Sequence, residues 1–273
     1  MTFIPPAEGA PPLPDMAESY DAYFASGLYQ SRYPHPNRRT LRFLRAALPV
    51  GGRLLDYGAG EGRYCLELAR ARGASVVAVD ISPVAREHLV AATSAAGLAR
   101  QIAVVDAKGD DYRNCVDGRG GFDAALLGFG VLGHVAGRDN RLALLQELRR
   151  NLKPDGRLIL GLPNAARRFR AAQAEAASEQ GLEHGDIRYR RAAGNGTIAL
   201  FYHLYRRSEI VAELGAAGFS VERITSESVL PEYAVTHRPL VGWLDDILSG
   251  IVPVDWGYGY LVVARPKQER ELQ

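Results

Sequence analysis

Leu54-Leu55-Asp56-Tyr57-Gly58-Ala59-Gly60-Glu61-Gly62 is the stretch whose reading decides the fold. Residues 53–57 read as a short apolar strand, and three alternating glycines follow it at once. Glycines at such a place let the chain turn sharply and let a ligand approach the backbone closely. Residues 63–72 then read as a helix, so the unit is strand, glycine turn, helix. By itself this unit marks only a strand-to-helix turn, with or without a ligand over it.

The spacing narrows the choice. A dinucleotide fingerprint, Gly-x-Gly-x-x-Gly, needs its third glycine where this chain has Arg63; Gly62 comes one place early. Asp56 precedes the first glycine, where it would face a phosphate badly and suits a cationic ligand end such as an amino group. A second strand, 75–80, ends at Asp80 and is followed by Ile81-Ser82-Pro83. A carboxylate there offers two coplanar acceptor oxygens to a ribose diol. A third strand ends at Val105-Asp106-Ala107, and Asp106 can accept the exocyclic amine of an adenine stacked on Ile81. Each acid taken singly is equally readable as a helix cap; the three in register with the glycine loop are not.

Outward from this centre, strands and helices alternate. Residues 83–96 read as a helix with Pro83 in its first turn and Gly97 as its stop. Strands follow at 102–105 and 122–127, an amphipathic helix at 140–152, a turn at 153–156 and a fifth strand at 157–162. This rhythm predicts an α/β fold: a Rossmann-like, doubly wound, mostly parallel sheet with helices on both faces. Right-handed crossovers place the loops after the strands along one edge, where such sheets bind ligands. After Pro163 the rhythm breaks. Residues 164–197 are basic and glycine-punctuated, with a helical piece near 168–180, and 198–205 read as extended. A helix over 208–217, capped at Ser208 and stopped by Gly218, precedes strands at 219–225 and 259–264 that complete a seven-stranded sheet. The predicted organisation is an N-terminal arm, 1–37, and one domain, 38–273, with lid insertions near 164–200 and 227–256. The arm has a loose proline-rich start over 1–15, short aromatic-bearing helical pieces over 16–31, and a stiff turn at Tyr33-Pro34-His35-Pro36-Asn37. A helix with Leu41, Leu44 and Leu48 at helical spacing opens the domain.

Composition adds bounds. With 47% hydrophobic and 23% charged residues the 273-residue chain is ordinary globular material that can bury a sizeable core. A net charge of +2 neither demands nor excludes a nucleic-acid partner. Lysine is confined to Lys108, Lys153 and Lys267, a skew that source-genome composition explains more simply than function. Cys65 and Cys115 are too few and too far apart for a disulfide framework or a zinc site, so no metal is expected. The start lacks a basic, then apolar, leader, and no stretch is long enough to span a bilayer; a soluble, cytoplasmic protein is expected.

The combined pattern resembles the class I S-adenosylmethionine-dependent methyltransferases. Residues 54–62, Val79-Asp80-Ile81-Ser82 and Asp106-Ala107 resemble their first three motifs, Phe122-Asp123-Ala124-Ala125-Leu126-Leu127 their fourth strand, and 148–158 their approach to the fifth. The resemblance covers 40–163 well and 198–265 loosely. It implies S-adenosylmethionine as cofactor, held by Asp56, Gly58, Ala59, Gly60, Gly62, Asp80, Ile81, Asp106, Ala107 and Gly128. It says little about the acceptor.

Methyl transfer is an in-line displacement that mainly needs alignment and exclusion of water. A hydroxyl acceptor needs a general base, a neutral amine much less. The loop Gly128-Phe129-Gly130-Val131-Leu132-Gly133-His134-Val135 offers His134 as base or acceptor contact, and Phe201-Tyr202-His203-Leu204-Tyr205 offers His203. For each, a structural histidine is an equally good reading. Tyr33, Phe129, Tyr202 and Tyr205 are candidate acceptor contacts; Tyr20, Tyr23, Tyr29, Arg32 and Tyr33 could close the cofactor pocket from the arm, and packing of the arm on the sheet is the slightly favoured reading. Residues 201–210 are also similar to the tail of tRNA wobble-uridine carboxymethyl methyltransferases. Arg167-Arg168-Phe169-Arg170 and Arg188-Tyr189-Arg190-Arg191 interleave cations and aromatics as an RNA site would. Against tRNA stand the low net charge and Gly133-His134 where that family has paired histidines. The favoured reading is a methyltransferase acting on a small or medium-sized metabolite; a tRNA enzyme and a non-catalytic cofactor-binding homologue are the alternatives. Trp243, Leu244, Ile247 and Leu248 suit either a lid or a homodimer face.

Overall fold

Val76, Val77, Ala78 and Val79 offer no polar group to either side of a strand, and the sheet buries them on both faces. The computed structural model describes residues 12–116, 120–177, 179–193 and 196–268. Most of the expected loose segment 1–15 lies outside the described residues.

In chain order the strands are β1 (Arg53–Tyr57), β2 (Ser75–Asp80), β3 (Ile102–Asp106), β4 (Phe122–Leu127), β5 (Leu152–Pro163), β6 (Asp186–Ala193), β7 (Gly196–His203), β8 (Phe219–Ser228) and β9 (Gly259–Pro266). Seven of them form one sheet in the order β3-β2-β1-β4-β5-β9-β8. Pairing is parallel from β3 through β5, and β9 runs antiparallel to both its neighbours. The doubly wound sheet expected from the sequence is therefore present, and its strand order reverses beside β1, between β2 and β4. Open sheets of this kind bind ligands at that switch, at the carboxyl ends of the strands.

Helices α1 (Met16–Ala25) and α2 (Leu28–Arg32) form the arm. The rest are α3 (Arg38–Ala47), α4 (Cys65–Arg72), α5 (Pro83–Ala95), α6 (Asp110–Val116), α7 (Arg138–Asn151), α8 (Arg170–Ala176), α9 (Arg207–Ala216), α10 (Glu232–His237) and α11 (Pro239–Ile251). Strand side chains alternate between faces, and two cores result. Leu55, Val77, Val79 and Ala125 meet Leu144, Leu148 and Ile210 on the face covered by α7 and α9. Leu54, Val76, Ala78 and Ala124 meet Leu44, Leu68 and Leu89 on the face covered by α3, α4 and α5.

Four details differ from the sequence reading. The expected turn at 153–156 loops out within β5: Leu152 pairs with Phe122, and pairing resumes at Arg157 with Ala124. Helix α9 starts one turn position earlier than Ser208 and is capped at Arg206, whose backbone N–H donates weakly to Glu209 Oε2 at 3.5 Å. The basic segment before residue 196 contains β6, which pairs antiparallel with β7 as a separate two-stranded sheet. Its alternation was hidden because arginines occupy both faces. The insertion after β8 carries two helices, not one, and α11 leaves Leu240, Trp243, Leu244 and Ile247 exposed. No described helix is long and apolar enough to cross a membrane. The arm lies over this frame: Ser19 Oγ of α1 donates to Ala199 O of β7 at 2.7 Å, and Asp21 accepts from the Ser82 hydroxyl that caps α5.

Candidate functional site

The glycine turn after β1 is held in a shape only glycine takes easily. Gly58, Gly60 and Gly62 have φ of +79°, +54° and +89°. A Cβ on Gly58 would stand 2.4 Å from Val131 Cγ2, and one on Gly62 2.4 Å from Leu89 Cδ1. Gly58 thus admits the turn after β4, whereas Gly62 serves helix packing behind the loop. Val79 O accepts from the N–H groups of Gly58 and Ala59 at 2.7 and 2.9 Å. Asp80 completes the tie: Oδ2 accepts from Gly60 N at 2.7 Å and Oδ1 from Ser82 N at 2.9 Å.

Over this loop lies a cleft of about 780 Å³, counting its mouth, a normal size for a small-molecule site. Its floor and walls are Tyr57, Gly58, Gly60, Asp80, Ile81, Ala107 and Gly128, and Phe129 and His134 close one side. The arm supplies the roof through Met16, Tyr20, Phe24 and Tyr29. Tyr23, also considered for this role, packs instead with Ile198 and Leu200 against β7. Asp56 and Asp106 stand outside the lining. Asp56 is buried beneath the loop with Oδ2 unpartnered; burial, and then the Asp80 charge, push its pKa up to about 7. Asp106 accepts from Lys108 N at 2.8 Å and pairs with Arg86 at 2.9 Å, leaving Ala107 to face the cleft. Ala59 is buried in the core beneath.

The two histidines part company. His134 Nδ1 lies 2.7 Å from the carbonyl of Phe201, so it carries the proton and Nε2 holds the free lone pair. The ring stacks on Tyr202 at 4.3 Å and 8°, and Tyr20 meets it edge-on at 5.2 Å. Burial pushes its pKa down to about 4, so it is neutral at physiological pH. His203 is wholly buried, 2.6 Å from Asp186 through Nδ1 and 2.8 Å from Glu209 through Nε2. These two carboxylates outweigh the effect of burial and raise its pKa, so both nitrogens donate and neither is free to take a proton. Arg141 ties the same cluster together, 2.7 Å from Glu213 and 3.1 Å from Glu183. Tyr205 is buried with it, its hydroxyl 3.4 Å from Glu213. Neither His203 nor Tyr205 lines the cleft.

On the far side of Phe129 a second concavity opens. Its inner end is lined by Phe129, Gly130, Arg168, Glu227, Glu232 and Tyr258. Its outer end, about 660 Å³ with its mouth, adds Arg32, Tyr33, Phe169, Tyr189 and Arg191. Phe129 and Phe169, the two non-glycine residues with positive φ among those described, both border it (φ +58° and +52°). Such backbone costs roughly 1–3 kcal/mol and tends to mark functional sites. Tyr33 contacts Phe129 at 4.4 Å, and Tyr202 lies against Gly130, where a Cβ would stand 1.9 Å from its hydroxyl oxygen.

A family described as a methyltransferase domain matches residues 29–224. The chain belongs to that family. No curated protein matches it by sequence. Among solved structures it is similar to the CcbJ methyltransferase from Streptomyces caelestis (16% identity, 86% of this chain and 91% of that one, TM-score 0.60). It is similar also to a SAM-dependent methyltransferase from Methanosarcina mazei (20%, 83% and 98%, TM-score 0.60). A third likeness is to the glycopeptide N-methyltransferase MtfA complexed with sinefungin (17%, 86% and 87%, TM-score 0.56). At these identities the likeness is one of fold.

Several residues of the methyltransferase's clefts escaped the sequence reading. Tyr57, Val131 and Val135 line the first cleft, yet within their quoted stretches they were given no role. Arg63, read only as a helix start, lies over the rings of Phe129 (4.5 Å), Tyr29 (4.9 Å) and Tyr33 (5.3 Å), its three guanidinium nitrogens buried without hydrogen bonds. Glu227 accepts from Thr40 Oγ1 at 2.8 Å, and burial, then the Glu232 charge, push its pKa up to about 8. Glu232 is raised as well, by burial. Arg168 and Arg191 were noticed, but as parts of a basic surface.

Proposed function

We propose that this methyltransferase moves a methyl group from S-adenosylmethionine to an oxygen or nitrogen of a small or medium-sized metabolite. The observation that carries the reading is the pair of clefts that share Phe129, one tied to the glycine loop through Asp80 and the other opening to solvent.

The first cleft fits the cofactor. Gly58 and Gly60 line it, and Asp56, buried outside the lining, supports the loop from beneath. Asp80 keeps lone pairs on both oxygens for a ribose diol, because each accepts only one N–H from the protein. Ile81 and Ala107 are the apolar pair that would flank an adenine. Asp106, engaged with Arg86, would act at most from the rim. The cofactor supplies an electrophilic methyl on a sulfonium. The chain supplies alignment and a dry site: the aromatic roof of the arm excludes water, and Phe129 borders both clefts, where donor methyl and acceptor atom would have to meet. His134 Nε2, neutral and unprotonated, accepts a hydrogen bond from the acceptor O–H or N–H and orients its lone pair. With so low a basicity it serves an amine or an acidic hydroxyl better than an aliphatic alcohol. MtfA is named as a glycopeptide N-methyltransferase, an activity of this general kind.

The small-molecule reading is supported over RNA by where the basic clusters point. Arg168, Phe169, Tyr189 and Arg191 border the second cleft, while Arg188 pairs with Glu179. Titration calorimetry with S-adenosylhomocysteine and with NAD tests the cofactor, and radiolabelled S-adenosylmethionine against metabolite pools and bulk tRNA tests the acceptor. Binding of NAD without S-adenosylhomocysteine would overturn the first; label entering tRNA alone would overturn the second. Cofactor binding with no turnover on any pool would favour a non-catalytic homologue.

A further inference from the structure

The second cleft is cationic without being neutralised. Arg32, Arg168 and Arg191 border it, and none of them forms an ion pair with a carboxylate among the described residues. The Nε of each is buried and without a hydrogen-bond partner. What holds these guanidiniums is aromatic. Arg168 lies over Tyr258 at 4.8 Å and over Phe169 and Tyr202 at 5.4 Å. Arg191 lies over Tyr23 at 5.2 Å and Tyr189 at 5.8 Å, and Arg32 over Tyr33 at 5.6 Å. Stacking of this kind fixes a guanidinium plane; the Tyr33 and Tyr189 phenols take part of the Arg32 and Arg191 N–H edges, and the Arg168 edge is left for a bidentate anion.

The nearby acids do not supply the missing charge. Glu227 lines the inner end and Glu232 both ends; burial raises the pKa of each, Thr40 and Asn37 already donate to them, and neither forms an ion pair with these arginines among the described residues. The Tyr33 phenol lies in the field of the same arginines. Burial pushes its pKa up, yet the Arg191 and Arg32 guanidiniums beside it leave it below the ordinary tyrosine value.

We infer that the methyl acceptor is an anion, a carboxylate or phosphate ester on a planar ring, whose charged group seats against Arg168, Arg191 and Arg32. This rests on the methyltransferase reading for what is done to the acceptor, but not for what the cleft binds. The anion is the anchor, and the atom to be methylated lies at the Phe129 end, toward His134. The ring stands against Tyr189, Tyr258 and Phe169, which give face and edge contacts.

The test uses the whole chain saturated with S-adenosylhomocysteine and four probes: 4-hydroxybenzoate, phenyl phosphate, and the neutral 4-hydroxybenzamide and phenol. Affinities are read by ligand-observed NMR or calorimetry. At least one anion should bind tenfold or more tighter than its neutral counterpart, and which one does so separates carboxylate from phosphate. Arg168→Gln and Arg191→Gln, made separately, should each weaken that anion by about tenfold or more, since a charge-assisted bond is lost. Cofactor affinity should move less than twofold, and thermal melts report whether each variant folds. Equal binding of neutral and anionic probes to the unmodified chain, which needs no variant, overturns the inference; so does retention of anion affinity in both variants. Failure of S-adenosylhomocysteine to bind would overturn the cofactor reading instead, and the probe comparison would still be made without it.

Discussion

Asp80→Asn is the most informative single change, because the structure makes this near-isosteric replacement a poor one. Both carboxylate oxygens accept backbone N–H groups, from Gly60 at 2.7 Å and Ser82 at 2.9 Å. An asparagine must turn its NH2 toward one of these donors, so one bond is lost and two donors face each other. Hydrogen bonds to a charged group contribute about 1.5–3 kcal/mol each. The variant should therefore lose about 1.5–3 kcal/mol of stability, or roughly 3–10 °C in melting temperature for a domain of this size. Asp80→Ala loses both bonds and, with a ribose diol bound, both acceptor oxygens. At about 1.5–3 kcal/mol each, two contacts amount to a factor of about 100 or more in affinity. Calorimetry should show S-adenosylhomocysteine weakened about 100-fold or more in Asp80→Ala and about tenfold or more in Asp80→Asn. Circular dichroism melts separate loop loosening from lost contact. Affinity within threefold of the parent in Asp80→Asn, with an unshifted melt, would refute both the strain argument and the ribose contact.

Further expected outcomes concern three sites. His134→Gln should leave S-adenosylhomocysteine affinity within twofold and lower kcat by about 10- to 100-fold; unchanged turnover would remove His134 from the acceptor chemistry. The His134 pKa falls from 6.5 to about 4 on folding, so the unfolded chain binds more protons in between. Its stabilising share is present above pH 6.5 and lost as pH falls toward 4, a term of at most about 3 kcal/mol; melts from pH 7 to 4.5 should drop less in the glutamine variant. Glu227 titrates the other way: folding raises its pKa from 4.5 to about 8, so the stability linked to its proton is present below 4.5 and lost as pH rises through 8. Glu227→Gln should flatten the fall in melting temperature between pH 6 and 9, and an equally steep fall would show that the carboxyl is ionised in the fold. Gly58→Ala combines φ of +79° with a Cβ 2.4 Å from Val131, and should cost about 2 kcal/mol or more; Val131→Ala added to it should restore part of the melt, and no restoration would place the conflict elsewhere.

The sheet was legible because its signals are local and repeat. Apolar runs ending in Asp56, Asp80 and Asp106 announced β1, β2 and β3, and Gly97 and Gly218 marked helix ends at φ of +70° and +83°. The first cleft was legible in part for the same reason, since Gly58, Gly60, Asp80, Ile81 and Ala107, which line it, lie at strand ends that topology brings together. Motif resemblance does not distinguish a residue that lines a cleft from one that props up the lining. Gly62 and Asp56 sit in the same motif as Gly60, yet Gly62 packs against Leu89 and Asp56 lies beneath the loop. In Phe201-Tyr202-His203 the missing consideration was the period of the strand. Neighbours in β7 face opposite ways, so Tyr202 can stack on His134 only if His203 turns to Asp186 and Glu209. A histidine and its neighbouring tyrosine on one strand do not serve one site.

The same period decides what the basic segments are for. Read as a line, Arg188-Tyr189-Arg190-Arg191 is a charge run, and a charge run is usually a solvated face. Folded as β6 it splits: Ile187, Tyr189 and Arg191 share one side, Arg188 and Arg190 the other. Ile187 and Tyr189 join the small apolar cluster with Tyr202 and Leu204, which carries Arg191 inward with them. Phe169, at φ +52°, belongs to that cluster too, next to Arg168. Net charge could not have revealed this, because +2 is an average over the whole chain, whereas binding responds to the local field of a low-dielectric cleft. Three arginines stacked on aromatics, with no ion pair to the nearest acids, concentrate that field where the proposed acceptor would lie. A mildly basic protein thereby holds a strongly cationic site, and the hairpin that places it there is the element the linear sequence concealed.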